Sequence, residues 1–88
     1  MKSSPPQDKS RSRISPEKAF GLVLRDLREK SSLSQEALAY EAGFHRTFVG
    51  QLERGEKSPS LRTIFAIAGS LDTAPSEIIR NVERLASR

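Results

Sequence analysis

Residues 34–55, SQEALAYEAGFHRTFVGQLERG, decide the fold of this chain. Ser34 is a good N-cap residue, and the glutamine and glutamate that follow it suit a first helical turn. Gly43 then predicts the end of this short helix, because glycine readily adopts the left-handed backbone found at helix C-termini. A second helix is predicted from Arg46 to Glu53 or Arg54, with Gly55 closing it. A helix of two turns is unstable alone, so both helices must be held by packing against the rest of the chain.

Two short helices joined at a glycine turn have the layout of a helix-turn-helix, here at residues 34–54. At about 100° per residue, the second helix separates into an apolar side and a polar side. The apolar side consists of Phe48, Val49 and Leu52. The polar side consists of Arg46, Thr47, Gly50, Gln51 and Arg54. The apolar side is predicted to lie in the core and the polar side to face a partner, with an ordinary solvated face as the alternative.

The polar side has chemistry that suits the major groove of DNA. An arginine such as Arg46 can bond guanine at two atoms, and a glutamine such as Gln51 can do the same to adenine. The methyl group of Thr47 can pack against a thymine methyl. Residues near the start of a recognition helix point at base edges. We therefore predict that these three residues read bases.

A second group of residues is predicted to contact phosphates or to allow close approach of the DNA. The group comprises Gln35, His45, Gly50, Arg54 and Lys57. Backbone N–H groups at the start of the first helix, together with Gln35, suit an anion. For His45, an N-cap without a role in binding is the alternative, and for Gly50 the alternative is loose packing.

The remaining helices follow from caps and periodicity. Ser15 and Pro16 begin a helix that runs to about Lys30. Ser60 caps a fourth helix, and Pro75 begins a fifth. The predicted inward stripe of the fourth helix is Leu61, Ile64, Phe65, Ala68 and Leu71. Since no alternating strand pattern and no internal repeat is present, the predicted class is all-α with five helices.

Composition narrows the possible functions. The 88 residues suffice for one domain, predicted at residues 15–88, and 35% hydrophobic residues leave little room for a deep enzyme cleft. Residues 1–14 are predicted to form a flexible basic tail, since residues 1–15 carry a net charge of +3 and residues 16–88 only +1. With no cysteine and one histidine, a metal site is not expected. No apolar run is long enough to span a bilayer, and a cytoplasmic, nucleoid-associated protein is expected.

Residues 21–79 resemble the lambda repressor/Cro-like, or XRE, family of bacterial helix-turn-helix regulators. The segments that carry the resemblance are LRDLREKSSLSQEALAYEAG, RTFVGQLERGEKSPSLRTI and APSEII. The resemblance implies that the third helix is the recognition helix, that positions 46, 47 and 51 touch bases, and that position 35 touches phosphate. The segment RTFVGQLERGEKSPSL is also similar to controller proteins of restriction–modification systems. A prophage, plasmid or host repressor of the same fold is the alternative.

The resemblance also implies an ion pair between Arg28 and Glu53. Each residue directly follows a leucine of a core stripe, so the two charges are expected to meet at the edge of the core. If the pair is partly buried, loss of one partner should cost more than loss of both. The alternative is two solvated charges.

A homodimer is predicted, because readers of this kind bind two half-sites related by a two-fold axis. The apolar residues assigned to the dimer interface are Ile67, Ile78, Ile79, Val82 and Leu85. The alternative for these residues is an intramolecular core.

The predicted function is therefore sequence-specific binding of double-stranded DNA by a homodimeric transcription regulator, with a two-fold symmetric operator. A protein-interaction module on the same fold, such as an antitoxin or a bridging factor, is the alternative. An enzyme is not expected, because the sequence shows no nucleophile–base pair and no phosphate loop. No cofactor, small-molecule ligand or membrane partner is expected.

Overall fold

The computed structural model describes residues 14–86, and these form five α-helices and no strand. The helices are α1 (Pro16–Lys30), α2 (Gln35–Ala42), α3 (Arg46–Glu53), α4 (Leu61–Ser70) and α5 (Pro75–Ala86). The all-α prediction is confirmed. The predicted basic tail, apart from Ile14, lies outside the described residues.

Serine side chains begin three of the helices. The Oγ atoms of Ser15, Ser34 and Ser60 each accept a hydrogen bond from the backbone N–H three residues further on, at 2.9–3.1 Å. Such a bond satisfies a helical N–H that has no partner within the helix, and for that reason the predicted starts agree with the observed ones. The start of α3 is different, because His45 occupies the N-cap position without a side-chain hydrogen bond.

The core lies where α3 meets its neighbours. Helix α1 packs against α3 and α5, and α2 packs against α3 and α4. Val49 and Leu52 on the inner side of α3 have no exposed surface. The core is completed mainly by apolar side chains of the other helices: Phe20, Val23, Leu24, Leu38, Ala39, Ile64, Ile67, Ala68, Leu71 and Ile78. Because one side of α3 is buried in this way, its opposite side is held at the surface in a fixed orientation.

The predicted inward stripe of α4 is buried at Ile64, Ala68 and Leu71 but not at Leu61 and Phe65. Leu61 and Phe65 are 72% and 61% exposed, whereas Thr63 and Ile67 are buried. The prediction was wrong at Leu61 and Phe65 because apolar residues surround much of α4, so periodicity could not select one face. The buried Thr63 is stabilised by a contact between its hydroxyl and that of Ser60, at 3.0 Å.

The predicted dimer interface needs a correction at two positions. Ile67 and Ile78 are 0% and 1% exposed, so both belong to the core of the single chain. Side chains without accessible surface cannot contact a second molecule, and their assignment to the interface was wrong. Ile79 is exposed, and Val82 and Leu85 are half-buried.

Across residues 14–86, none of the helices is both long enough and apolar enough to cross a membrane.

Candidate nucleic-acid interface

The turn between α2 and α3 sets the angle between the two helices. Gly43 has a φ of +84°, in the left-handed region, and its N–H donates to the carbonyl of Ala39 at 2.9 Å. The N–H of Phe44 donates to the same carbonyl at 2.8 Å. The ring of Phe44 then packs edge-on against that of Phe48, with 5.2 Å between centroids. This turn produces the helix-turn-helix expected from the sequence.

The three predicted base-reading residues lie on the outer side of α3. Arg46 and Thr47 are exposed in the first turn, and Gln51 is half-buried one turn later. Their side chains are opposite the buried Val49 and Leu52. The chain therefore presents a guanidinium, a hydroxyl with its methyl group, and an amide on one helix face.

Three of the residues predicted to bind phosphate or allow close approach are found together. A Cβ atom added to Gly50 would lie 3.2 Å from Nη1 of Arg54 and 3.6 Å from Oε1 of Gln35. The side chains of Gln35 and Arg54 thus converge over the position where α3 has no side chain. His45 and Lys57 are also exposed, and they lie just before and a few residues after α3.

Arg54 also forms an ion pair at the surface. Its Nε donates to Oε2 of Glu56 at 2.8 Å, and its Nη2 donates to Oε1 at 3.3 Å. The hydrogen bond with Glu56 raises the pKa of Arg54, and the same bond lowers the pKa of the Glu56 carboxyl. Both groups are therefore charged at neutral pH.

The predicted pair of Arg28 and Glu53 is present beneath this surface. Nε of Arg28 donates to Oε2 of Glu53 at 2.5 Å and Nη2 to Oε1 at 3.1 Å, with side-chain exposures of 11% and 4%. The hydrogen bond to Glu53 raises the pKa of Arg28. Arg28 also donates to the carbonyl of Leu33 at 2.8 Å, and Gln35 donates to Oε1 of Glu53 at 3.0 Å. The pair therefore links α1, α3 and the first residue of α2.

Gly21 is a structural residue of this region that the sequence reasoning missed. A Cβ at Gly21 would lie 2.3 Å from the carbonyl oxygen of Glu53 and 2.6 Å from that of Leu52. The close approach of α1 to the end of α3 therefore requires glycine. A glycine between apolar residues in a predicted helix is the available signal, but the sequence does not show which helix it faces.

No group of three or more histidine, cysteine, aspartate or glutamate side chains that could hold a metal ion occurs in the described part of the chain.

The geometry described above defines a class of protein, the helix-turn-helix DNA-binding domain. The model of the HTH_3 family, described as helix-turn-helix, matches residues 24–78. The chain belongs to this family, whose members of the XRE type are DNA-binding transcription regulators rather than enzymes.

The chain is similar to two controller proteins and to one phage repressor. The chain is 39% identical to control protein C.BamHI of Bacillus amyloliquefaciens over 61 residues, which are 68% of this chain and 75% of that protein. The crystal structure of the restriction-modification controller protein C.AhdI from Aeromonas hydrophila matches with a TM-score of 0.68 and 44% identity, covering 69% of this chain and 92% of that one. The immunity repressor protein of Bacillus phage phi105 is 34% identical over 67% of this chain and 41% of the repressor.

Proposed function

We propose that this regulator binds a two-fold symmetric DNA operator as a homodimer and reads its bases with Arg46, Thr47 and Gln51. The observation that carries the proposal is the outer side of α3, where these three side chains lie together opposite a fully buried face. A helix held in this way can enter the major groove, and its first turn then reaches the base edges. Arg46 reads guanine and Gln51 reads adenine in this proposal.

Phosphate contacts position α3 in the groove. Gln35 and Arg54 converge over the buried Gly50, where the missing side chain leaves room for both of them and for close approach of the DNA backbone in this proposal. His45 and Lys57, exposed on either side of α3, extend the phosphate contacts along the strand. These contacts supply affinity without sequence information, since phosphates are the same at every base pair.

The dimer surface that we propose is different from the one predicted from the sequence. Ile79 on α5 is 45% exposed and lies in one groove with two exposed residues of α4, Leu61 and Phe65. Val82 borders a neighbouring groove that shares Ile79, and Leu85 borders a separate one between α1 and α5. An exposed apolar surface of this kind is typical of an interaction site. We propose that a second copy of the chain covers Leu61, Phe65 and Ile79; the two α3 helices of such a dimer must lie about 34 Å apart to reach successive half-sites.

The similarity to C.BamHI and C.AhdI supports a more specific role, control of a restriction–modification system. Such a regulator acts in the bacterial cytoplasm, where its operator lies. The phage immunity repressor is the principal alternative for the biological setting, and the same site serves both.

Selection of bound sequences from a random duplex library at physiological salt tests the proposal. We expect enrichment of a site with two-fold symmetry. The absence of enrichment, with only weak binding that falls steeply with salt, would favour the protein-interaction module on the same fold.

Substitution then tests the residue assignments on the selected site. Arg46→Ala should cost about 1–3 kcal/mol and relax the preference at one base pair in each half-site. Lys57→Ala is the matched comparison, because it removes one exposed positive charge and should weaken binding to all sequences alike. An equally uniform loss with Arg46→Ala would make Arg46 a phosphate contact.

The dimer surface has a well-matched control. Ile79→Glu should give monomers in sedimentation equilibrium and weaken binding to the symmetric site. Leu22→Glu introduces the same charge on α1 at almost equal exposure, 46% against 45%, but in the groove between α1 and α5. Leu22→Glu should leave the dimer intact, and dissociation by Leu22→Glu alone would move the interface to that groove.

A further inference from the structure

Glu56 forms an ion pair with Arg54, a residue that the proposed function assigns to phosphate binding. Two nitrogens of the Arg54 guanidinium, Nε and Nη2, donate to the two carboxylate oxygens of Glu56. A guanidinium binds a phosphate through the same parallel pair of hydrogen bonds. The remaining nitrogen, Nη1, lies over Gly50 on the outer side of α3. The carboxylate therefore occupies the donors that a phosphate would use.

The backbone holds Glu56 in this place. Its N–H donates to the carbonyl of Gln51 at 2.9 Å, and the N–H of Gly55 donates to the carbonyl of Leu52 at 3.1 Å. Gly55 has a φ of +76°, and a Cβ there would lie 3.0 Å from Cα of Lys18. The turn after α3 is thus fixed on one side by its own hydrogen bonds and on the other by α1. The carboxylate consequently remains within reach of Arg54.

We propose that Glu56 competes with DNA for Arg54: its carboxylate binds the guanidinium in the free protein, and a DNA phosphate must displace it. This inference rests on the proposed DNA binding and assigns a role to a residue outside the reading face. It concerns affinity rather than base choice, because the exchange of carboxylate for phosphate is the same at every sequence.

The exposure of the pair makes this exchange feasible. The side chains of Arg54 and Glu56 are 59% and 51% exposed, so neither needs to leave a packed environment to separate. An exposed ion pair is weak, and a phosphate in a double helix is a strong competitor. Glu56 therefore reduces the affinity for every duplex, operator and non-operator alike, by a modest factor.

Glu56→Gln tests the inference, because the amide keeps the size of the side chain and removes its charge. Affinity is measured by fluorescence anisotropy on the selected operator and on a scrambled duplex, over a range of salt. We expect Glu56→Gln to bind both duplexes about two to five times more tightly, the factor that corresponds to an exposed ion pair. Thermal unfolding of Glu56→Gln should match that of the parent, since the pair lies at the surface.

Removal of any negative charge favours DNA binding to some degree, so a control of equal charge is required. Glu41→Gln removes one exposed carboxylate from α2 and should tighten binding less than Glu56→Gln does. Arg54→Ala supplies the second control, because the competition needs the guanidinium. In the Arg54→Ala background, Glu56→Gln should tighten binding no more than Glu41→Gln does.

Two results would overturn the inference while the proposed function stands. In the first, the parent binds its operator and Glu56→Gln binds no more tightly than Glu41→Gln. In the second, the full effect of Glu56→Gln persists without Arg54. Failure of the parent and of every variant to bind either duplex is a different result, because it contradicts the proposed function and the inference together.

Discussion

Gly21 in α1 and Gly50 in α3 look alike in the sequence but lie in different surroundings. Each is in a helix interior, where glycine costs about 1 kcal/mol relative to alanine. The nearest atoms to a Cβ on Gly21 are backbone carbonyls of α3, at 2.3 and 2.6 Å. The nearest atoms to a Cβ on Gly50 are the ends of two flexible side chains, at 3.2 and 3.6 Å. The first glycine is required for helix packing, whereas the second is buried only beneath the ends of the Gln35 and Arg54 side chains, on the face that we propose binds DNA.

Glu53 should give the largest effect on stability, because its buried carboxylate binds Arg28 and accepts a hydrogen bond from Gln35. Glu53→Ala leaves the Arg28 guanidinium largely buried without its carboxylate, and we expect a loss of about 3 kcal/mol. For a domain of this size the melting temperature should then fall by more than about 10 °C, as measured by circular dichroism. The double variant Arg28→Leu/Glu53→Leu should lose less than Glu53→Ala. An unchanged melting temperature for Glu53→Ala would contradict a structural role for the pair.

Gly21→Ala should cause the second-largest loss of stability. Its Cβ meets backbone that no change of rotamer can move, so α1 and α3 must separate. Overpacking of this kind costs about 1–3 kcal/mol, and the better helix propensity of alanine offsets only part of it. Urea unfolding measures the loss as a lower midpoint. A midpoint equal to that of the parent would show that the two helices separate easily, and the contrast with Gly50 would disappear.

Gly50→Ala should affect binding rather than stability. The Cβ contacts Nη1 of Arg54, a flexible group that can move aside, so the folded state should be unchanged or up to about 1 kcal/mol more stable. The methyl group also occupies the space proposed for close approach of DNA, and the affinity for the operator should fall by about 1 kcal/mol. Urea unfolding and anisotropy titrations separate the two effects. Unchanged affinity would mean that DNA does not use this space.

Gly69→Ala in α4 should have the smallest effect on stability and binding. It serves as the reference for Gly21→Ala and Gly50→Ala. No atom lies within 4 Å of a Cβ at Gly69, and the residue is exposed. The substitution should therefore stabilise the protein by about 0.5–1 kcal/mol and leave DNA binding unchanged. A destabilised Gly69→Ala would show that the helix-propensity gain assumed for the other two variants is too large.

Local chemistry explains how much of the fold could be predicted. Helix starts at Ser15, Ser34 and Ser60 depend on hydrogen bonds that span three residues, and a sequence pattern shows such bonds directly. The same holds for the turn at Gly43, whose left-handed backbone favours glycine. The Arg28–Glu53 pair joins distant segments, and its prediction came from the family resemblance, with the position of each charge directly after a leucine as support.

The face of α4 and the dimer surface could not be predicted in this way. Residues 61–71 offer two overlapping apolar stripes, and periodicity placed Phe65 on the inward stripe and Ile67 outside it. Packing against α2 and α5 selected Ile67 for the core and left Phe65 exposed. Leu61 and Phe65 are therefore exposed beside Ile79, whereas Ile67 and Ile78, which were assigned to the dimer interface, are buried.

The sequence by itself determined the five helices, the position of the helix-turn-helix and the residues available on its outer face, because caps, turns and periodicity act over a few residues. Only the tertiary structure decided which side of α4 is buried, that Gly21 must accommodate the backbone of α3, and that Glu56 holds Arg54. These features depend on how helices and the turns between them are placed in space, and the spacing of residues along one helix does not contain that information.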